Sequence, residues 1–132
     1  MSAPVADLPY WTALAQGVLQ LPCCAGCGRW QWPAVWRCAH CGAWEQQWQQ
    51  VEPRGTVYSW TRTWHPFAGS QDLPPPYVTL LVELPQAGSI RLLGLLDPPE
   101  QGLRIGAGVA GVAATTRLGG RDIPALRWRL DG

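Results

Sequence analysis

The residues able to do chemistry in this chain are five cysteines, and all lie in "CCAGCGRWQWPAVWRCAHCG", Cys23 to Gly42 of 132 residues. Cys24-x2-Cys27, ten intervening residues and Cys38-x2-Cys41 have the form of two metal knuckles. Each pair offers two thiolates from one tight turn, and two such turns complete a tetrahedral four-thiolate site. Gly28 and Gly42 each follow the second cysteine of a pair, where a backbone turning around a metal calls for positive φ. Four soft ligands and no open position make Zn2+ the expected ion, and a closed site of this kind stabilises a fold rather than activating substrate or water. Redox thiols, an iron centre and disulfides are the alternatives. An odd number of cysteines fits disulfides poorly, and in a reducing cytosol such clusters bind metal.

Two neighbours of the knuckles carry their own questions. Cys23 is either a reactive nucleophile or a small, partly buried residue, and no base near it in sequence favours the first. His40 could replace a ligand, but with four well-spaced cysteines it is expected as a solvent-facing turn residue. The ten-residue gap has room for a short hairpin with "RWQW" and "VWR" as arms around Pro33. Elsewhere, His65 in "TWHPF" is the one acid/base candidate, with Asp72 or Glu83 as companions, and no nucleophile is placed to use it.

The elements that position these residues are legible in outline. "DLPYWTALAQGVLQL" reads as an amphipathic helix opened by Asp7 and Pro9, closed near Gly17, with Tyr10, Trp11, Leu14 and Val18 on one stripe. It packs on its own fold or serves as a flap over a ligand or partner. After the knuckles the pattern turns to β. "GTVYSWTRTW" puts Tyr58, Trp60, Arg62 and Trp64 on one face; strands follow from Tyr77, Ser89, Leu103 and Ile123, separated by Pro- and Gly-rich turns. Five strands without a comparable helix predict a small closed barrel of the OB type, and Gly106, Gly108 and Gly111 suit its curvature or a close backbone approach. The expected organisation is a helical segment over 1–19, a zinc ribbon over 20–49 and the barrel over 50–132.

Composition narrows the function classes. The ten basic residues are all Arg, against nine acidic ones, so no basic excess points to phosphate-backbone binding. No apolar run reaches membrane-spanning length and the start lacks a signal-peptide pattern, which predicts a cytoplasmic protein. Nine tryptophans are the oddity, seven of them between Trp30 and Trp64. They exceed what one small core needs, leaving core packing and an exposed patch for a partner or ligand as open readings.

In order along the chain, "PYWTALAQGVL", "CAGCGRWQWPAVWRCAHCG", "GTVYSWT", "HP", "PPYVTLLVEL" and "LRIGAGV" resemble the acyl-CoA-associated zinc-ribbon/OB-fold proteins, long known as a domain of unknown function. The resemblance implies a rubredoxin-like ribbon carrying Cys24, Cys27, Cys38 and Cys41 as ligands, fused to an OB-fold. It further implies a non-catalytic subunit of a thiolase, a thiolase-like aldolase or a condensing enzyme, sometimes with a hot-dog-fold hydratase, in lipid, steroid or polyketide acyl-CoA metabolism. No catalytic residue carries over. Cys23 stands where a basic residue is common in that family, and "GVAGVAATT" is small where a bulkier strand is usual.

Three readings therefore compete. An accessory subunit would use Tyr10, Trp11, Trp30, Trp32, Trp60 and Trp64 against its partner, with Arg29 and Arg62 as contacts to the partner or to CoA phosphates. A single-stranded nucleic-acid-binding barrel would stack bases on Tyr58, Trp60 and Trp64, against the neutral charge. An enzyme in its own right would rest on His65.

Overall fold

The structure is a computed structural model that describes residues 5–65, 73–118 and 120–131. It is mainly β, with one N-terminal α-helix, a two-stranded sheet and a closed five-stranded barrel. Asp72 and the middle of the "HPFAGSQDLPPP" turn lie outside the described residues.

Helix α1 spans Leu8–Ala15, and Gly17 at φ 86° lets the chain reverse after it. Tyr10 and Leu14 are buried, and the helix packs on the last two barrel strands and on β1. Asp7 makes no cap to the backbone; its carboxylate accepts a hydrogen bond from Trp11 Nε1 at 3.1 Å. Strand β1 (Gln20–Cys24) pairs antiparallel with β2 (Gln46–Gln50), so the ribbon's hairpin lies outside the two knuckles. The expected arms "RWQW" and "VWR" are not strands: only an isolated bridge, Cys23 to Trp30, forms there. Within the gap, Gly28 N–H and the Arg29 carbonyl bond to Cys24 and Gln31 N–H bonds to the Pro22 carbonyl of β1, in place of a hairpin ladder.

The barrel comprises β3 (Arg54–Thr63), β4 (Tyr77–Leu84), β5 (Ile90–Leu96), β6 (Gly108–Leu118) and β7 (Arg121–Leu130), in the closed order β3-β4-β5-β7-β6. All neighbours are antiparallel except β5 and β7. In "YVTLLVEL" alternate residues Val78, Leu80, Val82 and Leu84 point inward and are buried. Leu103 to Ala107, expected in strand, form a turn before β6; Gly106 there has φ 89°.

The face assigned to β3 also needs correction. Its register slips between Val57 and Ser59, leaving Tyr58 as an extra residue. Val57 therefore pairs with inward Val82 and Trp60 with inward Leu80, although the two differ in parity. Trp60 packs against the core, while Tyr58 is exposed under the Arg91 guanidinium at 3.7 Å from its ring centroid. A single aromatic face through Tyr58, Trp60, Arg62 and Trp64 does not form.

Trp128 fills the barrel interior and has no exposed surface. The inward positions beside it carry glycine: a Cβ on Gly94 would stand 2.7 Å from Trp128 Cδ1 and 2.8 Å from the Leu126 carbonyl, and one on Gly111 would stand 2.8 Å from Trp128 Cζ3. Backbone as well as ring would have to move. Gly94→Ala should therefore destabilise the protein by about 3 kcal/mol, read as a lower urea midpoint; an unchanged midpoint would show that the barrel wall yields freely.

Candidate functional site: a four-cysteine cluster beside an aromatic groove

The Sγ atoms of Cys24, Cys27, Cys38 and Cys41 all lie within 4.8 Å of one another. Cys24 and Cys41 approach to 3.5 Å, Cys27 and Cys38 to 3.8 Å. A tetrahedron with Zn–S bonds of about 2.3 Å has edges of about 3.8 Å, so the donor set and its spacing fit a metal ion such as zinc. The first cysteine of each knuckle is buried and the second exposed.

The two knuckles repeat one another bond for bond. Cys24 N–H donates to the Arg29 carbonyl and Cys38 N–H to that of Ala43, each at 2.8 Å. Gly28 N–H donates to the Cys24 carbonyl and Gly42 N–H to that of Cys38, each at 2.9 Å, with φ of 79° and 82° at the two glycines. Gly26 N–H points at Cys24 Sγ (3.3 Å) and His40 N–H at Cys38 Sγ (3.4 Å). These donors favour thiolate over thiol. The backbone N–H of Cys41, then that of His40, outweighs desolvation and brings the Cys38 thiol down to about 6.

Two residues of this cluster have no counterpart in the spacing argument. Gly26 lets the knuckles meet, since a Cβ there would stand 2.9 Å from Ala43 Cβ and 3.1 Å from Cys41 Sγ. Gln31 Nε2 donates to Cys38 Sγ at 3.3 Å, reaching from behind the first knuckle to the second. The glycine inside the first C-x-x-C was a visible signal for Gly26; nothing in the sequence marked Gln31.

Cys23 is buried, donates to the Gly28 carbonyl at 3.1 Å, and is held above the ordinary thiol range by desolvation and then by the neighbouring Cys24 charge. That is the environment of an inert thiol. His40 is exposed and contributes its backbone N–H to the cluster.

Beside the cluster runs an apolar groove of about 670 Å3, between α1, the Trp30–Pro33 segment and the outer surface of β4 and β5. Tyr10, Trp11, Trp30 and Trp32 form its walls, with outward-facing Leu81 and Leu93 opposite. The Tyr10 and Trp32 rings lie 4.5 Å apart, and burial pushes the Tyr10 hydroxyl up to about 12. A smaller hollow of about 280 Å3 shares Tyr10, Trp11 and Leu93 and extends the groove toward Tyr77 and Leu95. Leu93 is 65% exposed.

The other candidate residues lie apart from it. Trp64 is exposed beyond the end of β3; Arg62 sits over the Trp60 ring and is paired with Glu100. Arg29 is exposed at the first knuckle. His65 follows the end of β3, whereas Glu83 pairs with Thr56 near its start and binds Arg91. Seven positions of strand, roughly 20 Å, separate Thr56 from Thr63 at the end of β3 nearest His65, so His65 and Glu83 do not stand as a pair. Among the described residues, no helix is long and apolar enough to cross a membrane.

Comparison with known proteins agrees with this geometry. Over nearly its whole length the chain matches a solved structure described as "Ltp2-ChsH2(DUF35) aldolase", at 24% identity and a TM-score of 0.82, covering 98% of each chain. It also matches a DUF35-family protein of unknown function from Sulfolobus solfataricus, at 20% identity and a TM-score of 0.65, covering 96% of this chain and 85% of the other. At these identities the likeness speaks to fold. None of the curated proteins matches the chain in sequence. The family model for the C-terminal OB-fold domain of ChsH2 matches residues 48–115, just over half of the chain and most of the barrel. With the barrel topology and that match in agreement, the chain belongs to the ChsH2 C-terminal OB-fold family.

Proposed function

We propose that this protein is a zinc-stapled accessory subunit of a thiolase-like enzyme, with the chemistry residing in the partner. The observation that carries the reading is the match, across 98% of the chain, to a component of an assembly described as an Ltp2–ChsH2 aldolase, together with membership of the ChsH2 family. The four-cysteine cluster supports a structural role for its metal, because four thiolates leave no position for substrate. Trp11, Trp30 and Trp32 with Leu81 and Leu93 form the partner surface in this reading, and Tyr10, itself buried, backs the groove. Exposed aliphatic and aromatic groups at a groove are the usual material of interface anchors.

The finer parts of the proposal follow the family. The enzyme acts on acyl-CoA in lipid metabolism, a steroid side chain being one such acyl group, and a hot-dog-fold hydratase joins it in some assemblies. Arg29 is the stronger candidate for a CoA phosphate, because Arg62 is engaged by Glu100. Single-stranded nucleic-acid binding has less support. Six arginines, Arg54, Arg62, Arg91, Arg117, Arg127 and Arg129, are paired with carboxylates, and β3 splits the aromatic face that would stack bases.

The purified protein is expected to carry about one zinc per chain, and Cys38→Ser to yield zinc-free or insoluble protein. Metal analysis of a soluble, folded wild-type chain without zinc would overturn the staple. Because protons compete with metal for the thiolates, zinc should stay bound at neutral pH and be released as the pH falls; release on raising the pH from 7 to 9 would contradict thiolate ligation. For the partner surface, co-expression with a thiolase-like enzyme should give a complex at near-equal amounts that alone shows acyl-CoA turnover. Leu93→Asp, at an exposed position, should weaken that complex at least about 10-fold in a titration while leaving the fold intact. Wild-type affinity of this variant would move the interface elsewhere, and turnover by the isolated chain would overturn the accessory role.

A further inference from the structure

The cluster and the groove meet at one side chain. Gln31 lies between Trp30 and Trp32, the two groove walls contributed by the ribbon. Its backbone N–H donates to the Pro22 carbonyl at 2.9 Å, holding the segment to β1, while its side-chain amide donates to Cys38 Sγ at 3.3 Å. The segment is further tied by Cys24 N–H to the Arg29 carbonyl and by the Cys23 to Trp30 bridge. On the groove side, Trp30 rests against Gly88, where a Cβ would stand 2.8 Å from Trp30 Cδ1, and Trp32 meets Tyr10 of α1. One short segment thus touches a ligand sulfur with its middle residue and the barrel and α1 with the residues either side.

We propose that Gln31 is a positioning residue that ties the Trp30 and Trp32 walls of the groove to the metal cluster, so that metal loading and groove formation are one linked equilibrium. The inference rests on the reading of the cluster as a metal site. An amide N–H aimed at a ligating thiolate lowers the sulfur's electron-donating energy and fixes its orientation, and such outer partners are typically worth 10–100-fold in metal affinity. Because linkage is reciprocal, whatever the Trp30–Trp32 segment gains by docking on Gly88 and Tyr10 also strengthens metal binding. The groove is then presented by the metal-loaded chain alone, which prevents an incompletely loaded subunit from engaging its partner.

The test uses the full chain loaded with zinc or cobalt and the variant Gln31→Leu, which keeps bulk and removes the donor. Three results are expected: transfer of zinc to a chelator about 10-fold faster than wild type, a thiolate-to-cobalt charge-transfer band shifted to lower energy, and faster amide hydrogen exchange over residues 86–93 with metal still bound. A wild-type release rate and spectrum would overturn the role of Gln31. Faster release with unchanged exchange over 86–93 would overturn the link to the groove. Should Gln31→Leu not fold, the wild-type chain decides: chelation should remove protection over 86–93 and zinc should restore it, and protection that survives chelation would overturn the linkage. A wild-type chain that takes up neither zinc nor cobalt would overturn the metal reading itself, an outcome distinct from all of these.

Discussion

Four sulfurs brought within 4.8 Å constrain the segment from Cys24 to Cys41. Without that convergence the segment from Ala25 to Glu45 has little to order it: it contains no strand beyond one isolated bridge, and several of its large side chains, Trp36 and Trp44 among them, face solvent. A module of this size buries too little apolar surface to offset its conformational entropy, which is where a metal's binding free energy becomes folding free energy. The matched hydrogen bonds of the two knuckles show how the backbone meets the demand. Each turn spends its N–H groups on carbonyls and on sulfur, leaving no ladder to form between them.

The barrel solves a different problem, that of closing five strands around one bulky ring. Trp128 occupies the space that side chains at 94 and 111 would otherwise fill, and both positions are glycine. Alternation on β4 supplies the rest of the interior, and the Tyr58 bulge rotates β3 so that Val57 and Trp60 both contribute to it. The two parts are joined by α1, whose Tyr10 and Leu14 are buried while Trp11 stays partly exposed.

The tryptophans divide between the two readings that composition left open. Trp128 belongs to the core; Trp30, Trp32, Trp48 and Trp60 pack against it from the side; Trp36, Trp44 and Trp64 are exposed. Trp30 and Trp32 serve both purposes, since the surface they do not bury forms the groove. An amphipathic ring at such a boundary offers apolar area to a partner at small entropic cost.

The chain's local order determined much by itself. Repetition of C-x-x-C-G prescribes two like turns, because thiolate spacing and positive φ at Gly28 and Gly42 are local demands; an apolar run between Pro- and Gly-rich turns prescribes β4, whose bounds Tyr77 and Leu84 match the expected strand. The barrel was legible for the same reason, from strands and turn residues in sequence. What only the tertiary structure decided were contacts between distant segments. The pairing of β1 with β2 outside the knuckles, the register slip at Tyr58, the glycine-lined seat of Trp128 and the reach of Gln31 to Cys38 each depend on a partner 7 to 34 residues away. Periodicity reports which side of an element is apolar, but a long-range contact depends on where another part of the chain comes to rest. For that reason the four clustered cysteines could be named from spacing, while the groove and its tie to the cluster emerged only once the ribbon, helix and barrel were packed together.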